Sequence, residues 1–450
     1  MQRNAQPLSP TTNNVDAARH LSAGIQSFNH WRLDVMDHVD AALAADADFP
    51  MAHILKGLTM AGGRSAAYQP IVDAAYAAAK PFAADISPHE RLYLEALAYL
   101  KDQRQTETAA CYETIVAAHP TDLLAHRLVQ QELFWMGEAD WMRGLVERAA
   151  PAWSEDVPDY PLFLSVRSFS NEEAGHYEAA ERYGRQAIEA DPTDPWGAHA
   201  VAHVLIMQGR IGDGIDWLEP LTGNWAGKNQ IVHHLWWHLC LFLLEQGAHD
   251  RILALYDEEV RNPDSPLVQA VPDAYIDVQN AAALLLRLEL RGVAVGDRWQ
   301  PLDSVAQGRI DNHQSPFTSA HAAIILAAAG NDKAAQSLID SMEDYAASAP
   351  GPLGLAFKSA AIPASRAAIA HRHGDDETVI AQLMPYRRRL WLMGGSHAQR
   401  DIFFQVLVDS CRRQGRGDLL RILMEEIGEI GFHGVDQRTL YGDAARLAHA

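Results

Sequence analysis

Two histidine pairs stand in the middle of this chain: His199 and His203 in HAVAH, and His234 and His238 in HLWWH. Each pair has the i, i+4 spacing that puts both rings on one face of a helix. Imidazole is a nitrogen ligand for transition metals and also a proton carrier near neutral pH. Three readings are therefore open. In one, His199, His203, His234 and His238 hold a divalent metal such as zinc, which needs three or four N, O or S ligands at about 2 Å. The residues between the pairs, Ala-Val-Ala and Leu-Trp-Trp, lack the Glu of the HExxH zinc-protease signature. In another, His203 and His238 are acid/base residues that work without a metal. In the third the histidines only pack and hydrogen-bond. No cofactor is required by the pattern; a divalent ion is the one it could hold.

The elements that would position these rings are helical. Segments such as ERLYLEALAYL, YEAAERYGRQAIEA and LCLFLLEQ carry apolar residues at three- and four-residue spacing. Short Gly, Pro or Asp breaks separate them: HPTD at 119–122, DPTDP at 191–195, RNPDSP at 261–266 and SAPGP at 348–352. Alternating β-branched runs flanked by hairpin turns are hard to find, so the chain is expected to be all-α. The segment HRH at 371–373, followed by GDDE, reads as a loop. The run RRR at 387–389 reads as solvated or paired with acidic surface.

Bulk properties narrow the class. Lys+Arg is 37 and Asp+Glu 58, so the formal charge is 37 − 58 = −21. An acidic body repels phosphate backbones, which argues against nucleic acid and anionic membrane as partners. Cys111, Cys240 and Cys411 are far apart and embedded in apolar helical patterns, as expected of buried free thiols in a reducing compartment. The start, MQRNAQPLSPTTNN, has no apolar core, and no apolar run reaches membrane-spanning length. These features predict a soluble cytoplasmic protein.

The breaks recur. Helices are expected to begin near Leu123, Tyr160, Trp196 and His233, roughly 36 to 37 residues apart, and then more loosely near Ala274 and Phe317. In NEEAGHYEAAERYGRQAIEADPTD, Gly175 makes the turn between two helices. Tyr177, Ala180 and Ala187 sit where the second helix must pack closely, and Pro192 ends the unit. This spacing resembles the tetratricopeptide repeat; elsewhere it is weaker, with Ile252 in the place of Ala180. The expected fold is a superhelical array of tetratricopeptide-like antiparallel helix pairs. Its expected extent is a single continuous domain over 21–450, preceded by a flexible segment at 1–20.

PTDLLAHR, HAVAHVLIMQGR, HLWWH followed by LFLLEQG, LLLRLEL, GDRW and GGSHAQRDIFFQ together resemble the tetratricopeptide repeat protein 38 family, in that family's order and over most of the chain. The resemblance implies a helical-repeat protein and little about activity. Leu235 stands where the family has Asn, and Asn280 and Ser319 where it tends to have Asp; chemistry relying on those carboxylates is in doubt here.

In the tetratricopeptide fold the first helix of each pair lines a concave groove. Counting back from Gly209 and Gly247 puts His199, His203, His234 and His238 on groove-facing positions of neighbouring first helices, with His233 pointing elsewhere. Trp196, Trp225, Trp236 and Trp237 fall in the same stretch, and an aromatic wall with a few polar groups is the usual make-up of a ligand pocket. His199, His234, Trp237, His321, Asn280 and Glu172 are the candidate ligand-binding residues. Glu172 and Glu173 also fit a solvated helix end. Asp277, Asn280 and His321 would extend the polar lining, and Gln399 and Arg400 would join it if the array closes. P-loop, dinucleotide fingerprint, nucleophile elbow and CxxC knuckle are all absent. The favoured function is a His/Trp-lined pocket for a small polar molecule, with acid/base chemistry by the histidines open. The alternatives are a metal-dependent enzyme using both His pairs and a peptide- or protein-binding scaffold without catalysis.

Overall fold

The structure, a computed structural model, describes residues 10–349 and 351–448. It is all-α: helix follows helix, and no strand occurs among the described residues beyond an isolated bridge between Arg32 and Lys228. No described helix is long and apolar enough to cross a membrane. The described residues form two compact units. Residues 10–134, 138–201 and 223–229 make the first; 135–137, 202–222, 230–349 and 351–448 make the second.

The segment expected to be flexible, 1–20, lies outside the described residues up to residue 9. Its remainder is not a free tail, because a helix runs over Val15–Asn29. The Asn14 side chain accepts from the N–H groups of Asp16 and Ala17, which would otherwise be orphans at the helix start. Thr12 Oγ1 donates to Asp46 at 2.7 Å, and the Thr11 amide to Glu90 at 2.8 Å.

Within the first unit the pair Tyr160–Glu173 and Tyr177–Ala190 shows how the repeat works. Gly175 turns the chain at φ +77°, a region that costs a side chain about 1 kcal/mol or more. Ala180 and Ala187 are fully buried. A Cβ on Gly184 would lie 2.5 Å from Val201 and 2.7 Å from the Ser168 hydroxyl, so only glycine allows this approach. Ser168 then donates to the carbonyl of Ala180 across the pair at 2.7 Å.

In the second unit Ile231–Glu245, Tyr275–Glu289 and Pro316–Ala328 are the first helices of successive pairs, starting close to the expected positions. They are apolar nearly all round and almost wholly buried, as helices flanked on every side must be. Partner helices such as Ile211–Leu218 and Gln300–Gln307 keep an exposed polar face. His397–Arg413 also packs on Tyr275–Glu289: Arg287 donates to the carbonyl of Ala398 at 2.9 Å, 111 residues away. Further on, the amide of His433 donates to Met207 O at 2.8 Å. The second unit is therefore closed on itself rather than open along one side.

Two local expectations change. HRH is not a loop: His371 and Arg372 end the helix Ile362–Arg372, and His371 Nε2 meets Asp409 at 3.0 Å. His371 is partly buried by this contact, while Arg372 and His373 stay exposed. The basic run does pair with acid, Arg387 and Arg388 both binding Glu426. The three cysteines are free and buried.

Candidate functional site

Three of the four histidines come together within the second unit. His203 comes from Pro195–Met207, and His234 and His238 from Ile231–Glu245. One nitrogen from each lies within 4.8 Å of the others. The His203 and His238 ring centroids are 4.5 Å apart, and those of His234 and His238 4.6 Å. All three are buried. The i, i+4 spacing places His234 and His238 on one helix face, and burial of the helix turns that face inward rather than to solvent.

His199 lies four residues before His203 and belongs to the first unit. Its ring stacks in the first unit, against Trp196 at 4.6 Å and Phe169 at 5.3 Å.

The electrical state of the site follows from burial. His234 is pushed down to about 3 by desolvation and by the charge of His203, against a hydrogen bond from Asn280. It is neutral at pH 7, the form that ligates metals. Its Nδ1 lies 2.9 Å from Asn280 Oδ1. With the amide oxygen facing it, Nδ1 carries the proton and Nε2 keeps its lone pair. Such an outer partner on the second ring nitrogen is the usual way a metal-binding histidine is oriented.

Trp237 packs against two of these rings. It is fully buried, stacks on His234 at 5.1 Å and meets His238 edge-on at 4.9 Å. Its indole N–H has no hydrogen-bond partner among the described residues. Arg287 caps the other side, its guanidinium carbon 5.6 Å from the indole ring. His233 turns away, as expected, and binds Asp277 at 2.9 Å. Asp277 is held above the usual carboxylate range by burial.

His321 lies on Pro316–Ala328 and spends its Nδ1–H on the carbonyl of Phe317 at 2.9 Å. Burial lowers it to about 4. Its ring packs on Phe317 and Phe403. Gln399 closes a capping box with Ser396 at the start of His397–Arg413, and Arg400 binds the carbonyl of Gly395. Glu172 is not on a solvated end: it is 1% exposed, within the first unit. Trp225 is buried, while Trp196 and Trp236 are partly exposed.

One residue escaped the sequence reading. His397, lowered to about 3 by burial, by Arg400 and by His203, is close enough to His203 for each to feel the other's charge. The signal was GGSHAQ. Gly394 and Gly395 have φ of +79° and +77°, and Ser396 with Gln399 caps the helix, which delivers the next side chain at a defined point.

No family model matches the chain. A stretch of 115 residues is 27% identical to cellulose synthase operon protein C of Pseudomonas fluorescens (strain SBW25), covering 25% of this chain and 9% of that protein. Among solved structures, a human IFIT1 dimer with m7Gppp-AAAA aligns over 98% of this chain and 96% of that one, at 13% identity and a TM-score of 0.41. A human IFIT1 dimer with PPP-AAAA aligns over 96% and 95%, at 12% identity and 0.44. The P58(IPK) TPR domain aligns over 89% and 99%, at 11% identity and 0.21. At such scores we take nothing further from them. On its own helix pairs, left-handed glycine turns and small-residue contacts, the chain is a tetratricopeptide-like helical-repeat protein.

Proposed function

We propose that the second unit holds a divalent transition metal, of the zinc type, on His203, His234 and His238. The observation that carries this is the set of three buried ring nitrogens within 4.8 Å, one of them on a neutral histidine oriented by Asn280. Zinc–nitrogen bonds of about 2 Å need ligand atoms roughly 3.3 Å apart, so ring movements of about an ångström close the set. With three protein ligands the ion keeps a place for water or a small polar molecule, which joins the metal reading to the pocket reading. His203 and His238 then act as ligands rather than as free acid/base groups.

A protein of the tetratricopeptide repeat protein 38 family, working in the cytoplasm on a small molecule, is the wider form of this proposal. The charge of −21 keeps nucleic acid out of it.

The test is uptake of zinc or cobalt by metal-stripped protein, followed by calorimetry and elemental analysis. One ion per chain is expected, lost in His203→Ala and His238→Ala while the helical circular dichroism persists. Wild type that takes up no ion, or variants that take it up unchanged, would overturn the reading. A peptide- or protein-binding scaffold is then what remains.

A further inference from the structure

A second polar centre lies wholly in the first unit. Arg127, from Leu123–Met136, and Lys228, at the isolated bridge with Arg32, are 5% and 7% exposed. The one fully buried carboxylate among their charged neighbours is Asp194, 3.8 Å from the guanidinium. Asp194 is already engaged: its oxygens accept from the amides of Trp196 and Gly197 at 3.1 and 3.2 Å, capping the helix Pro195–Met207. Asp159 and Asp191 also act on these cations, but both stand nearer to solvent. Two buried cations therefore share one buried anion whose charge is partly spent on a helix start.

Hydrogen bonding is just as incomplete. Arg127 Nη2 donates to the carbonyl of Asn29 at 3.1 Å, and Lys228 Nζ to that of His30 at 3.2 Å. Arg127 Nε and Nη1 are buried without a partner among the described residues, and so is the indole N–H of Trp31. An unmet buried donor on a charged group is costly, and native proteins rarely keep one without a use.

Trp31 is held there under strain. Its φ is +58°, a left-handed value that costs a non-glycine residue about 1 kcal/mol or more. Its carbonyl accepts from Asn229 at 2.8 Å, and its ring stacks on Trp196 at 4.8 Å. Trp196 is itself pinned by Gln130 at 2.8 Å. The Trp31 ring is thereby fixed 5.7 Å from the Arg127 guanidinium. Trp31 is partly exposed and followed by the exposed Arg32 and Leu33, so the way in is over this loop.

The geometry points to an oxyanion-binding site in the first unit, in which Arg127 and Lys228 supply the charge and the Trp31 N–H a further donor. The ligand is a small carboxylate or a phosphate. Both present oxygens that accept charge-assisted bonds from guanidinium and ammonium. The proposal does not depend on the metal reading.

Calorimetric titration of the full chain tests this, with EDTA present to remove metal-borne phosphate binding. The probes are inorganic phosphate and succinate, with sodium chloride at matched ionic strength as the control. Saturable binding of at least one oxyanion and none of chloride is expected; the tighter probe tells phosphate from carboxylate. Lys228→Met should weaken binding about tenfold, and Trp31→Phe, which keeps a stacking ring but has no N–H, by a smaller factor. Arg127→Met removes the central charge but could fail to fold, so the decision rests on the other two. Absence of saturable binding, or wild-type affinity in both Lys228→Met and Trp31→Phe, overturns the proposal.

Discussion

The two units turn their chains differently. Trp31, Arg64, Gln103 and Asp159, the four non-glycine residues with left-handed backbone among those described, all belong to the first unit. In the second unit the turns between helices pass through Gly209, Gly247, Gly292, Gly330, Gly374 and Gly415, each with φ between +66° and +78°. The second unit is thus built of relaxed repeats, while the first carries several strained connections. Their buried polar groups differ as well. The second unit buries imidazoles that desolvation keeps neutral, His234 and His397 near 3 and His321 near 4. Each unit also buries an arginine lowered only to about 10 and so still charged at pH 7, Arg287 in the second and Arg127 in the first, where it stands with the buried Lys228. Neutral nitrogens suit a metal cation and buried cations suit an anion, so one fold has built two opposite kinds of polar centre.

The largest effect that could break this contrast is acid sensitivity. A histidine whose folded pKa is depressed is protonated earlier in the unfolded chain. Its contribution to stability is complete above about 6.5 and is lost as pH falls toward the folded value. Each such histidine costs up to about 1.4 kcal/mol per pH unit in that window, or about 2 kcal/mol by pH 5. Three of these groups lie in the second unit. The first has one brought to such values, His126, lowered to about 4 by burial. Urea unfolding at pH 7, 6 and 5 should show a loss of several kcal/mol. Hydrogen exchange should rise more in Ile231–Glu245 and His397–Arg413 than in Tyr177–Ala190, a first-unit helix that carries no histidine. Equal rises in the two regions, or a flat profile, would remove the contrast. Bound metal would be lost only as the second unit unfolds, since folding holds its ligands together.

A smaller effect sharpens the metal side. Asn280→Leu removes the acceptor for His234 Nδ1–H without touching a metal ligand. Loss of such an outer partner typically lowers metal affinity 10- to 100-fold. Asn280→Asp keeps an acceptor and makes it anionic, so affinity should match or exceed that of wild type. Zinc affinities measured in competition with a chelator decide this. If Leu and Asp weaken binding equally, Asn280 does not act through the ring nitrogen.

How much of this was legible beforehand depends on the range of the signal. Helix starts near Leu123 and Tyr160 fall on helix bounds because the Pro- and Asp-containing breaks before them, HPTD and VPD, and apolar periodicity are local. The left-handed turn at Gly175 was legible for the same reason. The proximity of His203 to His238 needed the repeat as well, since it joins two helices. His397 was missed because it is 159 residues from His238 (397 − 238) and becomes a neighbour of His203 only when the second unit closes. Glu172 was misjudged because polar letters at a helix end suggest solvent, yet here other residues bury it; at HRH the helix was missed but the exposure of Arg372 and His373 was not. The helix at Val15 had a readable start, Asn14 followed by Asp16, that charge and polarity upstream concealed. Nothing in the letters around Trp31 marks it as left-handed, because its conformation is imposed by Asn229 and Trp196 from far along the chain.

The smallest effect concerns those strained turns. Gln103 precedes Gly137 by 34 residues (137 − 103) and does the same job, ending Pro88–Lys101 and leading into Gln105–Ala118 at φ +56°. Gln103→Gly removes the clash of Cβ with the backbone, worth about 1–2 kcal/mol. Glycine also gives the unfolded chain more freedom, which takes back about 0.4–1 kcal/mol. The net expectation is a gain of about 0.5 kcal/mol, resolved by urea denaturation at pH 7 as a higher midpoint with unchanged slope. The mirror change at a relaxed turn, Gly247→Gln, has open space for a Cβ and so meets only the backbone cost. It should lose about as much as Gln103→Gly gains. Opposite signs at the two sites would show that the first unit stores strain the second does not. A loss at Gln103 would mean that its side chain contributes more than its backbone costs, and the contrast between the units would then lie in their buried charges alone.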